Sequence, residues 1–413
     1  MNIKIIQIAL IHLTVAACMY SILYYFNIIK LIPSNETLQN WDADWFHSIK
    51  SSGYLLINGE RSNVAFFPLF SYLWRFSYLN ATGISILNIG ILILSLAILF
   101  HKTHHSLQFH LLILSISPFI FFSVPYSESL FFLFITLIIS GHRKNNITMI
   151  FIGYFGASAV RSVGLLFIPA VVFIFFLDRN SEKNWKMSLA SLSGIILGLG
   201  MVVLIQYYNT HQWFAFLKVQ SYWGRDWHAP RLPLTTTFPN RTLSIDSMAY
   251  AVGLIAIFYC FFWFYQRVIY DRINNLDASN QSNPVFLSAL CIAGITILDT
   301  CYTFLINDSS NIWSINRHIL CTPFAIVLIV YWLKTFVRRF ETFILAGIIV
   351  CVVLLTGLYR YPDQLLNYLL FFVPFILLKY FWQYNSLVYI AYFYNTFLQV
   401  IFFEDFLNGL WIG

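Results

Sequence analysis

Residues 147–177 read ITMIFIGYFGASAVRSVGLLFIPAVVFIFFL, an apolar stretch with a single charge, Arg161, near its centre. Roughly 20 such residues cross a bilayer. Basic segments bound the stretch on both sides, His142-Arg143-Lys144 before it and Asp178–Lys186 after it. Short basic loops belong on the cytoplasmic side. The chain must therefore cross an even number of times between them. A pair of short helices breaking near Arg161 satisfies this, and it points the arginine toward the outer face.

The rest of the chain agrees with a membrane setting. Hydrophobic residues make up 59% of the 413 positions and charged residues only 10%, and mean hydropathy is +0.72. A soluble domain carries about 25% charged residues. Too few are present to coat a water-soluble enzyme, a nucleic-acid binder or a disordered scaffold of this length. The net charge of +7 is topological on this reading, because Lys and Arg sit mostly in short loops between apolar spans. The six cysteines lie in apolar stretches without a CxxC pair and read as small core residues. Val15-Ala16-Ala17-Cys18 fits a lipoprotein cleavage box, but the apolar run continues to Ile29, so an uncleaved first membrane helix is expected.

Windows of about 19 residues place spans at Ile5–Ile29, Thr82–Phe100, Leu107–Val124, Ser129–Ser140, Ile147–Leu177, Met187–Tyr207, Met248–Tyr265, Val285–Ile306, Ile319–Trp332, Thr342–Leu358, Leu365–Phe381 and Leu387–Phe403. Val64–Leu79, interrupted by Pro68 and Arg75, is expected in the interface. The fold class is an all-α polytopic membrane protein of about 11–13 transmembrane helices, one domain over residues 1–413. His101-Lys102, His142–Lys144, Asp178–Lys186, Arg267–Arg272 and Lys334–Arg339 alternate as cytoplasmic loops. The two long polar stretches, Lys30–Asn63 and Tyr208–Ser247, then share the non-cytoplasmic face, where a functional site belongs.

The first outer loop carries Trp41-Asp42-Ala43-Asp44-Trp45. One carboxylate of an Asp-x-Asp pair can act as a general base on a hydroxyl, or both can hold a divalent cation such as Mg²⁺ or Mn²⁺. The bland alternative is a helix N-terminus with an acidic first turn. Trp41 and Trp45 add faces suited to stacking on sugar rings. Glu128, after Pro125-Tyr126-Ser127, is a carboxylate at membrane level, a functional candidate by default; it too could be a helix-terminal acid. Arg161 must find an acid, a carbonyl or an anionic ligand, and phosphate suits its planar fork. The second outer loop interleaves Trp223, Arg225, Trp227 and His228. In a membrane context this fits a sugar or a lipid-phosphate headgroup, not nucleic acid. Arg317 and His318 open a late span from the outer side, as a second anion contact or an interfacial anchor. The tract His101, His104, His105 lies beside Lys102 in a short loop and is not read as a metal site.

These pieces, in this order, resemble the glycosylphosphatidylinositol mannosyltransferase II family and its bacterial relatives, polytopic glycosyltransferases of the GT-C class. The matching residues are Trp41-Asp42-Ala43-Asp44 with Gly53-Tyr54, Ala65-Phe66-Phe67-Pro68, Pro125-Tyr126-Ser127-Glu128, Val160-Arg161-Ser162, and the Arg317 segment ending at Pro323. The loop Phe216–Pro230 looks more like the bacterial members. The likeness covers most of residues 1–335 and thins toward the C-terminus. It implies a GT-C-like bundle and a polyprenyl- or dolichyl-phosphate sugar donor, typically of mannose. It also implies an inverting transfer to a lipid-linked or glycan acceptor. Asp42 or Asp44 would remove the acceptor proton, and Arg161, Arg225 or Arg317 would stabilise the departing phosphate. A bacterial inner membrane, or the endoplasmic reticulum of a eukaryote, would be the location. An outer-face enzyme cannot draw on cytoplasmic nucleotide sugars, and no Gly-rich nucleotide loop is present. The alternatives are a transporter or flippase of lipid-linked sugars, which needs no base and often shows internal repeats that are not obvious here, and a non-catalytic subunit of a glycosylation complex.

Overall fold

The computed structural model describes residues 3–103, 105–177, 182–266, 283–335, 339–380 and 385–413. Parts of the basic segments read as cytoplasmic (178–181, 267–282 and 336–338) and His104 lie outside the described residues. The described chain is almost wholly helical. Six helices are long and apolar enough to cross a membrane: Lys4–Tyr25, Ala81–Leu99, Trp185–Thr210, Pro239–Phe264, Pro284–Cys301 and Ser386–Leu407. Four shorter apolar helices accompany them, Ile147–Val160, Ser162–Phe176, Pro323–Lys334 and Phe343–Leu355. This is the architecture of an all-α polytopic membrane protein. Its faces are inverted relative to a soluble bundle. Ile196, Leu204, Phe261 and Ile390 are exposed, while Asn88, Gln206 and Gln399 are buried.

Those buried amides hold irregular backbone. The stretch Leu107–Val124, expected as one span, is a helix over Leu107–Leu114 followed by a 3-10 turn over Ser117–Phe122. Pro118 removes a donor and clashes with the preceding turn. Away from water the freed groups need partners. Gln399 donates to the carbonyls of Leu114 and Ile116, both at 2.8 Å. Asn88 donates to those of Val124 and Tyr126 at 2.7 and 2.9 Å. The segment leading to Glu128 is thereby fixed from two sides.

The stretch 147–177 breaks where the basic flanks require. A helix over Ile147–Val160 ends at Arg161, whose backbone is extended (φ −145°, ψ 144°), before a 3-10 turn over Ser162–Leu166 and a helix over Phe167–Leu177. Two further boundaries differ from the hydropathy reading. The helix Asn283–Cys301 stops before Tyr302, and residues 302–310 form short strands instead of completing a span to Ile306. The helix Pro239–Phe264 begins well before Met248, because Pro239 starts a helix without needing an N–H partner.

Close packing places Arg161. Gly194 and Gly198 form a G-x-x-x-G pair on Glu182–Thr210, the kind of small-residue seam that lets membrane helices approach. A Cβ at Gly198 would lie 2.4 Å from the carbonyl oxygen of Phe155, whereas one at Gly200 meets nothing within 4 Å. Gly198→Leu should therefore lower the melting midpoint of the detergent-purified protein, since overpacking costs about 1–3 kcal/mol. Gly200→Leu should leave it unchanged. Equal midpoints for the two variants would contradict this packing.

Candidate functional site

Four charged side chains from four separate elements meet at one end of the bundle. Glu128 begins the helix Glu128–Lys144 and is almost fully buried. Its Oε1 accepts from Arg161 Nη1 at 2.7 Å, from Arg317 Nε at 2.7 Å, and lies 2.6 Å from Arg317 Nη2. Arg317 Nη1 lies 2.7 Å from Asp42 Oδ2. Two guanidinium groups thus face two carboxylates, and the cluster is neutral. A buried charge is tolerated only when paired and hydrogen-bonded. Aromatic rings close around Arg317, with Tyr126, Phe121 and Trp411 at 4.6, 4.9 and 5.7 Å from its Cζ. All three nitrogens of Arg317 are directed at protein carboxylates. Arg161 uses only Nη1, and its other donors make no hydrogen bond among the described residues. Glu128 Oε2 is buried without a hydrogen-bond partner there.

The Asp-x-Asp pair opens the helix Asp42–Ser52. Positions two apart on a helix do not face each other, and the two carboxylates separate accordingly. Asp42 turns inward, with its backbone N–H donating to Tyr126 Oη at 3.3 Å. Its Oδ2 is held by Arg317, and its Oδ1 makes no hydrogen bond among the described residues. Asp44 is exposed. Burial of part of its carboxyl raises its pKa above the ordinary value, and nearby His47 opposes this. The two acids do not present their oxygens to one point, which does not fit a shared Mg²⁺ or Mn²⁺. Among the described residues no group of three or more His, Cys, Asp or Glu could hold a metal ion. Trp41, just before the helix, has a positive φ of 57°. It is tied back through Nε1 to the Gly409 carbonyl at 3.1 Å and packs on Trp411 at 5.0 Å.

The two long polar stretches pack against each other. Trp45 stacks on Phe66 at 6.2 Å and meets Trp223 edge-on at 5.7 Å, and Arg61 lies over Trp223 at 5.3 Å. Gln206 fastens them from below, donating to Val64 O at 2.8 Å and accepting from Phe216 N at 3.2 Å. Farther along the second stretch, Asp226 and Trp227 pair antiparallel with Thr303 and Tyr302. That ribbon holds half-buried Arg225 near the end of the helix Asn283–Cys301, which carries Asp299. His318 Nδ1 lies 2.6 Å from Asp299 Oδ2. Burial depresses the His318 pKa, Asp299 pulls it up, and the charges of Arg161 and Arg225 push it further down.

Asp42, Arg317, Glu128 and Arg161 are therefore linked in one chain of contacts. Trp45 joins Trp223, and the charges of Arg161 and Arg225 both reach His318. Asp44 faces away from the cluster, whereas Trp41 packs behind Trp411, one of the rings around Arg317. Tyr126, Asp299 and Trp411 were not among the expected site residues. Asp299 is the one acid in the apolar stretch Val285–Ile306, and the rule that flags Glu128 flags it equally. Trp411 has no local signal, since its contact with Arg317 is made only by the folded chain. No protein-family model, no curated protein and no solved structure matches the chain.

The cluster makes a stability prediction. Removing one partner of a buried ion pair costs about 3–5 kcal/mol, and Glu128 serves two cations. Glu128→Gln should lower the melting midpoint in detergent markedly. Combining it with Arg161→Gln should cost less than the sum, with a coupling of about 0.5–3 kcal/mol. Additive effects would mean that the two side chains do not share a pair.

Proposed function

We propose that the chain is a membrane glycosyltransferase that moves a hexose, most readily mannose, from a polyprenyl- or dolichyl-phosphate donor. The acceptor is a hydroxyl of a lipid-linked or glycan molecule on the non-cytoplasmic face. In this reading the bundle is GT-C-like, with about 11–13 crossings once the shorter apolar helices are counted, and the two long loops lie outside. The observation that carries the reading is the chain of contacts from Asp42 through Arg317 and Glu128 to Arg161, with Asp42 on the same short helix, Asp42–Ser52, that brings Trp45 against Phe66 and Trp223. A base, cations and sugar-stacking surfaces are the parts such a transfer needs. The order of motifs shared with the mannosyltransferase II family adds to it.

In the proposed step the acceptor oxygen attacks the anomeric carbon from the side opposite the phosphate, so the configuration inverts. The new carbon–oxygen bond forms as the bond to phosphate breaks, and the electron pair leaves with the phosphate. Oδ1 of Asp42 takes the hydroxyl proton. Arg317 keeps the carboxylate oriented through Oδ2. Arg161 and Arg225, with donors to spare, receive the departing phosphate.

The extended backbone at Arg161 supports a second reading, a transporter or flippase of lipid-linked sugars, since broken helices mark substrate sites in transporters. One assay separates them. Purified protein is incubated with a panel of labelled polyprenyl-phosphate sugars and glycan acceptors. Wild type should form product with at least one, and Asp42→Asn should lower the rate by about 10²–10⁴-fold, the loss typical of a general base. Asp44→Asn should stay within a few-fold of wild type. Full transfer by Asp42→Asn would remove it as the base. Translocation without transfer in proteoliposomes would favour the transporter.

A further inference from the structure

Beside the four-residue cluster lies a second built arrangement that the transfer step above does not use. His318 and Asp299 are both about nine-tenths buried, with side chains 11% and 9% exposed. Asp299 Oδ2 holds Nδ1 of the ring, and Nε2 makes no hydrogen bond among the described residues. An aspartate that engages Nδ1 fixes the ring orientation and stabilises the imidazolium. The charged groups around this pair come from every neighbouring element. Arg161 stands at the helix break, Arg225 on the second loop, and Arg317 on the same short helix as His318 but turned to Glu128 and Asp42. Asp246, on the helix Pro239–Phe264, accepts from Asn316 Nδ2 at 2.6 Å and lies near Asp299. Arg225 makes no ion pair among the described residues. The strand pairing of Asp226 with Thr303 brings it there. Arg161 and Arg225 both lie close enough for their charges to act on the buried His318 ring, whose Nε2 is open among the described residues, and an anion is the ligand that two such cations and an imidazole N–H attract.

We propose that His318 is the general acid of the transfer, donating a proton from Nε2 to the departing phosphate, and that Asp299 is its positioning residue. This rests on the donor being a sugar carried on a lipid phosphate. Breaking the bond between the anomeric carbon and the phosphate oxygen turns a singly charged diester into a monoester with a second negative charge. The His318 proton goes to that oxygen, so the product leaves as a monoanion. His318 regains a proton from solvent, while the acceptor proton, taken by Asp42, returns to solvent. Charge and protons balance over the cycle. An incoming phosphate adds negative charge beside the ring and favours its protonated form, so binding and proton uptake are linked.

The test uses undecaprenyl phosphate, the lipid monophosphate product, as probe. Its affinity for the detergent-purified protein is measured from pH 5.5 to 8.5 by titration calorimetry in buffers of different ionisation enthalpy. Wild type should take up protons on binding, beyond those that the phosphate itself exchanges. Because burial holds the free ring's pKa below the ordinary imidazole value and the bound anion raises it, affinity should fall with rising pH from below that value upward, by up to tenfold per pH unit while one extra proton is bound. His318→Gln should lose that extra uptake and follow only the phosphate's own titration. Asp299→Asn keeps the ring but removes the charge that raises its pKa, so the fall should move to lower pH. A purely structural role for the pair would weaken binding equally at all pH values, and parallel curves for His318→Gln and wild type would overturn the proposal. Absence of binding by folded wild type at every pH would instead overturn the donor reading and this proposal with it.

Discussion

A single carboxylate oxygen organises this end of the protein. Oε1 of Glu128 accepts from two arginines that arrive from distant parts of the chain, and one of them carries Asp42 with it. In a low-dielectric interior neither guanidinium could stay charged and unpaired. The helix break at Arg161, the short helix Ile315–Ile319 and the start of the helix Asp42–Ser52 must therefore converge where they do. The irregular segment before Glu128, held by Asn88 and Gln399, sets where the carboxylate sits.

The arrangement divides two kinds of work among similar side chains. Arg317 has every nitrogen committed to protein carboxylates and a collar of aromatic rings, so it orients Asp42 and holds the cluster. Among the described residues Arg161 spends one donor on Glu128 and Arg225 spends none on a carboxylate, so both keep capacity for an external anion. The same contrast separates Asp42 from Asp44. One is held by a cation with an oxygen to spare, and the other faces solvent near His47. Spacing alone treats the paired residues as equivalent, and the helix makes them unlike.

Much of this was legible from residues. Arg161 inside an apolar stretch between two basic flanks requires a break, and the chain breaks there. Glu128 read as either a helix-terminal acid or a functional carboxylate, and it is a helix-terminal acid that also binds two arginines. What hydropathy could not resolve were places where tertiary partners override it. Pro118 interrupts an apolar run whose freed carbonyls are met by Gln399, 283 and 285 positions away. Tyr302–Ile306 is apolar enough to extend a span, yet its edge pairs with the second loop. Asp299 was visible as an acid in an apolar stretch, but its partner was not, because His318 sits 19 positions later on a separate helix.

The central claim is that the two long loops and the charged cluster build one sugar-phosphate site. The most direct measurement is photo-crosslinking with a polyprenyl-phosphate mannose bearing a diazirine on the sugar, followed by mass spectrometry of the labelled peptides. The account predicts labelling within residues 41–66 and 216–228, suppressed by excess unlabelled donor. Competable labelling confined to the C-terminal helices, Arg339–Leu355 or Pro362–Tyr380, would contradict it.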